Sequence, residues 1–319
     1  ELLQANGYTT LMVGKWHLTK DSEQNAAGDK SSWPVQRGFD RYYGVLDAFT
    51  NLHPPHRLVE DNHQVDVDQY PDDYYFSDDI TTRAITMIRE TKAANPKRPF
   101  FLYQAHGAVH APLHAKAVDM AKYEGRYREG WDRLREERYR RQVELGVTPP
   151  STQLAPRNTE ANNEVQPWDE LSDREKELFA RHMEVFAGMV DNIDQNVGRL
   201  IDALDELGEL ENTIFLFTSD NGASREGELV GTTAYYVHLL QGDDIDADYA
   251  RLDLIGGPQT TPHYPRGWAM AGNTPFRLYK INTHQGGHSV PMVVHWPAGL
   301  EARGDLAFVR HAVACQRRI

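Results

Sequence analysis

Apolar positions fall into separated runs along the chain, and each run predicts an element. Residues 8–13 are a short apolar and β-branched run that stops at Gly14, which predicts a strand feeding the loop at 14–18. Ser77 or Asp78 is positioned to cap a helix through about Ala94, with Ile80, Ala84, Ile85 and Ile88 on one side and Pro96 ending it. Pro99 opens PFFLYQA, an unbroken apolar run of the kind found in a buried parallel strand. The clearest helix carries Phe179, Met183, Phe186, Val190, Ile193, Val197, Leu200, Leu204 and Leu207, a seam stepping by four and three. From 179 to 207 it measures about 43 Å, and Gly208 supplies the stop. TIFLFTSDNG at 213–222 reads as a second buried strand ending in polar residues, and residues 290–296 as a third strand candidate.

The stretches between these runs carry weaker patterns. Residues 19–75 are rich in Asp, Pro, Tyr and His and read as long surface loops with one short helix or strand; Trp33-Pro34 and Gly38-Phe39-Asp40 are turn signals. Residues 116–146 form a charged helical stretch with little apolar face, whose Glu and Asp offset its Arg, so it reads as solvated. Residues 147–169 read as a loop or flap, and 223–268 as irregular with one helix near 245–253. Strands alternating with helices predict an α/β fold: a mixed, mostly parallel sheet with helices on both faces. Ligands of such sheets sit at the carboxyl ends of strands. The residues to weigh are therefore Lys15, His17, His106, His110, Asp220 and Asn221, with Lys280 and His284 before the last strand.

Composition narrows the class. The 319 residues are 40% apolar and 25% charged, which excludes collagen-like, disulfide-framework and wholly disordered chains. No run approaches the ~18 apolar residues of a membrane span. A net charge of −13 argues against a nucleic-acid-binding surface. The single Cys315 forbids an internal disulfide. The chain starts at Glu1 inside a patterned segment, and residues 308–319 show no cap, strand or turn logic, so the sequence reads as a possible fragment in one large α/β domain, incomplete at both ends. The compartment stays open.

Four constellations carry chemistry. Asp220-Asn221-Gly222 offers hard oxygen donors suited to Ca²⁺ or Mg²⁺; the plain alternative is a turn, and two ligands fall short of the ~6–8 that Ca²⁺ needs. Lys15 and His17 share one side of an extended chain and suit an anionic ester and a proton; the alternative is a surface lysine beside a packed histidine. His106, His110 and His114 have helical metal-site spacing, but Gly107 and Pro112 oppose a helix, which removes a three-histidine zinc site and leaves His110 for acid–base or anion contact. Arg277, Lys280 and His284 lie near Gly286-Gly287, glycines that permit close backbone approach to a ligand or simply make a turn. There is no GxSxG elbow, P-loop or GxGxxG, and no Ser, Thr or Cys stands out as a nucleophile.

Together these segments resemble the sulfatase family of the alkaline-phosphatase-like superfamily, nearest its arylsulfatase branch. GYTTLMVGKWHL at 7–18 is similar to the family's second signature; FFLYQAHGAVHAPL, FTSDNGAS, NTPFRLYKINTHQGG and the strand VPMVVHWP follow in the family's order. The resemblance implies a partial catalytic domain over 1–319, with a charged insertion at about 115–170 and without the family's small C-terminal domain. It implies calcium-assisted hydrolysis of a small-molecule or glycan sulfate ester through a formylglycine. Asp220 and Asn221 resemble calcium ligands, Lys15 and Lys280 the lysines that hold sulfate oxygens, His17 the histidine assisting the formylglycine hydrate, and His110 the histidine at the leaving oxygen. No CxPxR or SxPxR motif occurs; Ser32-Trp33-Pro34-Val35-Gln36 fails at the Arg position and lies on the wrong side of GKWHL. Gln285 stands where the family often has Glu, and the tail HAVACQRRI departs from its usual continuation. The rival readings are a phosphate or phosphonate ester hydrolase of the same superfamily, which tends to carry His where Asn221 stands, and a catalytically inactive fragment.

Overall fold

Strand β1 (Thr9–Lys15) runs two residues past its expected end, because Gly14 pairs within the ladder rather than closing it. The computed structural model describes residues 1–300; Cys315 and the tail at 308–319 lie outside them. The chain divides into two compact units. The first comprises Glu1–Lys122, Phe186–Gly208 and Gly256–Thr261; the second comprises Tyr123–Val185, Glu209–Ile255 and the residues from Pro262.

In the first unit a short helix α1 (Leu2–Ala5) leads into β1, followed by β2 (Arg41–Val45), β3 (Leu58–Glu60) and β4 (His63–Val65), helix α2 (Phe76–Ala94), β5 (Phe100–Ala105) and the short α3 (Ala117–Met120). The sheet order is β4-β3-β2-β1-β5; β1 is parallel to both β2 and β5, and β3 and β4 add antiparallel hairpin strands. Side chains alternate across a strand. Tyr43 faces α2, where its hydroxyl donates to Asp79 (2.6 Å). Met12 and Tyr42 on the opposite face pack with Trp33, Leu46 and Val59 under the 3₁₀ turn Pro34–Arg37. Helical segments thus cover both faces of a mixed sheet with a parallel centre.

Several local expectations need correction here. The loop reading of 19–75 missed β2, a buried strand at the heart of the sheet, because five residues with a glycine carry too short an apolar pattern to register. Strand β5 is last in the sheet order, and Phe101 and Tyr103 are exposed rather than buried. Helix α2 begins at Phe76 with Tyr75 at its N-cap position and no side-chain cap, so burial of Tyr75, Phe76 and Ser77 outweighs the capping preference.

The second unit contains α4 (Gly130–Glu144), α6 (Tyr235–Gln241), α7 (Ile245–Tyr249), α8 (Arg266–Gly272) and α9 (Gln285–His288), with β6 (Phe215–Thr218) antiparallel to β7 (Met292–His295). Helix α5 (Asp173–Glu206) supplies its part up to Val185 to this unit and the rest to the first. Val190 is exposed, contrary to the expected seam. In that stretch the buried stripe passes through Met189, Asn192, Ile193 and Asn196, and both asparagine amides donate to Asp78 Oδ1 (3.0 and 2.8 Å). β6 and β7 form a two-stranded ribbon with mostly exposed residues; an apolar run does not distinguish a ribbon strand from a buried one, since both favour the same residues.

The charged stretch at 116–146 is not merely solvated. Trp131 is 1% exposed and its ring meets Trp168 (4.7 Å), Trp268 (5.6 Å) and Phe179 (6.0 Å). Its indole N–H donates to Gln166 O (3.1 Å). Counting charges along α4 concealed this single large anchor. Trp131→Ala is expected to cost about 3–5 kcal/mol in urea unfolding followed by circular dichroism, while Glu137→Ala on the same helix changes stability by less than about 0.5 kcal/mol; equal effects would contradict the aromatic cluster as the core of this unit.

Candidate active site

The first unit places cationic and imidazole groups at the carboxyl end of its parallel strands. Lys15 is the last residue of β1, opposite Val45. Gly14 has φ of +101°, and a Cβ there would lie 1.9 Å from Ala105 O; a Cβ on Gly44 would lie 1.9 Å from Gly14 O. Three strands therefore close together just before Lys15. Beyond it, Trp16 N–H donates to Val45 O (2.9 Å) and His17 N–H to Leu46 O (3.2 Å). His17 has φ of 51°, so the chain turns there and the extended, same-side geometry expected for Lys15 and His17 does not hold.

A pocket brings Lys15 and His110 together, walled by Val45, Phe49, Leu52 and Ala111. The Phe49 ring stacks on His110 at 6.4 Å and 12°. His110 Nδ1 lies 2.8 Å from Ala111 O. A carbonyl only accepts, so Nδ1 carries hydrogen and Nε2 is the nitrogen that exchanges a proton in the neutral ring. The wall loop is pinned by Asp47, which pairs with Arg57 and lies 3.4 Å from His56 Nε2. Burial pushes the Asp47 carboxyl up, and His56 and Arg57 outweigh it, holding the carboxyl below its ordinary range. Sequence reasoning passed over Asp47 and Phe49 because residues 19–75 lack periodicity.

The other histidines of this loop serve packing. Residues 106–114 form no helix, so His106, His110 and His114 do not share a helical face. His106 Nε2 lies 3.1 Å from Gln104 Nε2. His114 accepts from Leu52 N–H at Nδ1 (3.2 Å) and donates from Nε2 to Thr260 O (2.7 Å). Burial pushes His106 and His114 down to about 4.

The second unit assembles its candidates from three loops. After β6, Asp220 is exposed, and the Asn221 amide nitrogen donates to Gly222 O (3.0 Å), which leaves Oδ1 as the acceptor end of that side chain. Gly222 N–H donates to Gly287 O (3.1 Å), and a Cβ on Gly222 would sit 1.7 Å from Gly286 O. Lys280 N–H donates to Ala223 O (3.1 Å) and its ammonium lies 3.3 Å from Glu226. Leu278 and Ile281, on either side of Lys280, have φ of 65° and 72°, a left-handed backbone that residues other than glycine rarely adopt, the β-branched Ile281 least of all. Ser224 donates to Glu226 (2.9 Å) and lies 3.1 Å from His263 Nε2. Ser224, Glu226 and His263 carried no signal in a stretch read as irregular. Arg277 pairs with Glu160, and His284 is exposed at the start of α9.

Asp220 and Asn221 fit a hard divalent cation in kind, since both present oxygens. Among the described residues no group of three or more His, Cys, Asp or Glu is arranged to hold a metal. No formylglycine motif exists in the sequence, so the residues present do not fit that group.

The mixed, mostly parallel sheet with helices on both faces is an α/β architecture of the alkaline-phosphatase-like kind. A family model described as Sulfatase matches residues 1–313, and the chain belongs to the sulfatase family. It is 33% identical over 304 residues to an uncharacterized sulfatase of Schizosaccharomyces pombe, covering 93% of this chain and 52% of that protein. It is 28% identical over 313 residues to an arylsulfatase of Klebsiella aerogenes, covering 94% and 61% respectively. The chain thus spans about half to three-fifths of these relatives' length. The crystal structure of Ps i-CgsB in complex with k-i-k-neocarrahexaose superposes with a TM-score of 0.52 at 24% identity, covering 93% of this chain and 46% of that one, a likeness of fold. No helix among the described residues is long and apolar enough to cross a membrane.

The buried histidines give this region a pH dependence. A proton on His114 would set Nδ1–H against Leu52 N–H, so the folded state disfavours it. With a folded value of about 4 against about 6.5 unfolded, the unfolded chain binds more protons between the two. Stability is therefore full above about pH 6.5 and falls as pH drops toward about 4. Urea unfolding is expected to show roughly 2 kcal/mol lost per such histidine between about pH 7 and about pH 5, and His114→Gln should flatten the curve by one histidine's share.

Proposed function

We propose that the protein is a sulfuric ester hydrolase of arylsulfatase type, acting on a small-molecule or glycan sulfate ester. The observation that carries the reading is the family match across residues 1–313, together with Lys15 and His110 sharing one pocket at a strand end. Hydrolysis breaks the S–O bond, and the departing alcohol oxygen must gain a proton. In this reading His110 acts as the imidazolium: Nδ1–H stays on Ala111 O, and Nε2–H passes its proton to the departing oxygen and leaves the neutral ring. Lys15 and Lys280 bind sulfate oxygens as ammonium groups, and more strongly as negative charge builds on them. His17 assists the attacking group. Asp220 and Asn221 hold calcium, which supplies charge neutralisation at the sulfate when bound. Asn221 favours a sulfate over a phosphate ester. The attacking group itself is not assigned to any of these 319 residues.

Assays of the full-length natural protein on an aryl sulfate and on the matched phosphate mono- and diesters test the class. Sulfate turnover is expected to dominate, and faster phosphate turnover would overturn the reading. Lys15→Ala and Lys280→Ala are each expected to lower kcat/KM about 10²–10³-fold. Chelation of calcium should reduce turnover, with Asp220→Ala requiring more calcium for recovery; indifference to both would remove the metal from the proposal. The 319 residues alone, lacking CxPxR and SxPxR, are expected to give no multiple turnovers even with calcium, and sustained turnover by them would refute that part.

A further inference from the structure

The Asn273 carboxamide joins the two loops of the second unit that carry Asp220-Asn221 and Lys280. Its Oδ1 accepts from Ala223 N–H (2.8 Å), two residues beyond Asn221. Its Nδ2 donates to Leu278 O (3.0 Å), two residues before Lys280. The backbone bond from Lys280 N–H to Ala223 O (3.1 Å) closes the bracket, so both backbone groups of Ala223 are engaged in it. Asn273 is only 7% exposed, so water is a poor substitute for either bond. Gly222 permits the approach: a Cβ there would come within 3.0 Å of Asn273 Oδ1. The donor end also engages the carbonyl of Leu278, one of the left-handed residues flanking Lys280.

We propose that Asn273 is a positioning residue for sulfate ester hydrolysis, its two-ended carboxamide fixing the spacing between the Asp220-Asn221 turn and Lys280. The inference rests on the functional reading above for the roles of those three residues. Only a neutral side chain with an acceptor at one end and a donor at the other completes both bonds. Aspartate keeps the acceptor and sets an oxygen against Leu278 O; alanine removes both. A shift of about 1 Å in a binding group costs on the order of 10²-fold in rate, so a short rigid bracket matters more here than its contribution to stability.

The test pairs amide hydrogen exchange with kinetics. In Asn273→Ala, peptides holding Ala223 and Lys280 are expected to exchange about tenfold faster, while the peptide holding Trp131 is unchanged. Asn273→Asp should restore protection at Ala223 more than at Lys280. In the full-length natural protein, Asn273→Ala is expected to lower kcat/KM for an aryl sulfate about 10²-fold, with Asn273→Asp between it and wild type. Unchanged exchange at both loops, a uniform rise across the whole unit, or wild-type kcat/KM in Asn273→Ala would overturn the proposal. If the wild-type protein hydrolyses no sulfate ester, the functional reading falls by itself, and the exchange measurement still decides whether Asn273 brackets the loops.

Discussion

Close contact of backbone on backbone, possible only where side chains are missing, is the constraint on which both units rest. At Gly14 and Gly44 three neighbouring strands approach to distances that a methyl group would forbid. Lys15 follows directly, so the placement of a candidate anion-binding group is inherited from the packing of the sheet. The second unit uses the same device at Gly222 and Gly286, where the turn after β6 lies on the loop after Lys280. In each case the chemistry-bearing residue is next to, or two positions from, a glycine whose replacement would push neighbouring backbone away.

Charge is arranged locally against an unfavourable total. With a net charge of −13, the protein as a whole repels a sulfate ester. Within the second unit, carboxylates are matched to the cations that organise the site loops: Glu226 to Lys280, Glu160 to Arg277, and Glu164 and Glu228 to the buried Arg266. In the first unit the apolar walls Val45, Phe49 and Leu52 surround Lys15 and His110, and poor screening there strengthens any contact with an anion. Elsewhere in the nine-residue stretch that holds His110, burial lowers the pKa of His106 and His114.

Much of the secondary structure was legible because it is local. The apolar step along α5, the run before His106 and the run before Asp220 each mark an element within a few residues of its observed span. Strand β2 was not legible, since its register depends on β1 and β3 rather than on its own five residues. Trp131 was hidden for a related reason: its partners Trp168 and Trp268 lie far along the chain, and a helix crowded with Arg and Glu shows little apolar face. The site divides the same way. The candidates Lys15, His110, Asp220 and Asn221 were marked by residue type and strand-end position and Lys280 by its place before the last strand, whereas the bonds of Asn273 to Ala223 and Leu278 exist only in the fold.

The amino-acid sequence alone determined the kind of chemistry on offer: oxygen donors at Asp220-Asn221, ammonium groups at Lys15 and Lys280, and no formylglycine motif. Those are properties of side-chain type and short spacing, which survive without a fold. Tertiary structure decided which histidine lines a pocket with Lys15, which strands stand in the middle of the sheet, and which carboxamide ties two loops together. Each depends on burial or on hydrogen bonds between residues distant in the chain, and neither quantity is encoded in a local pattern.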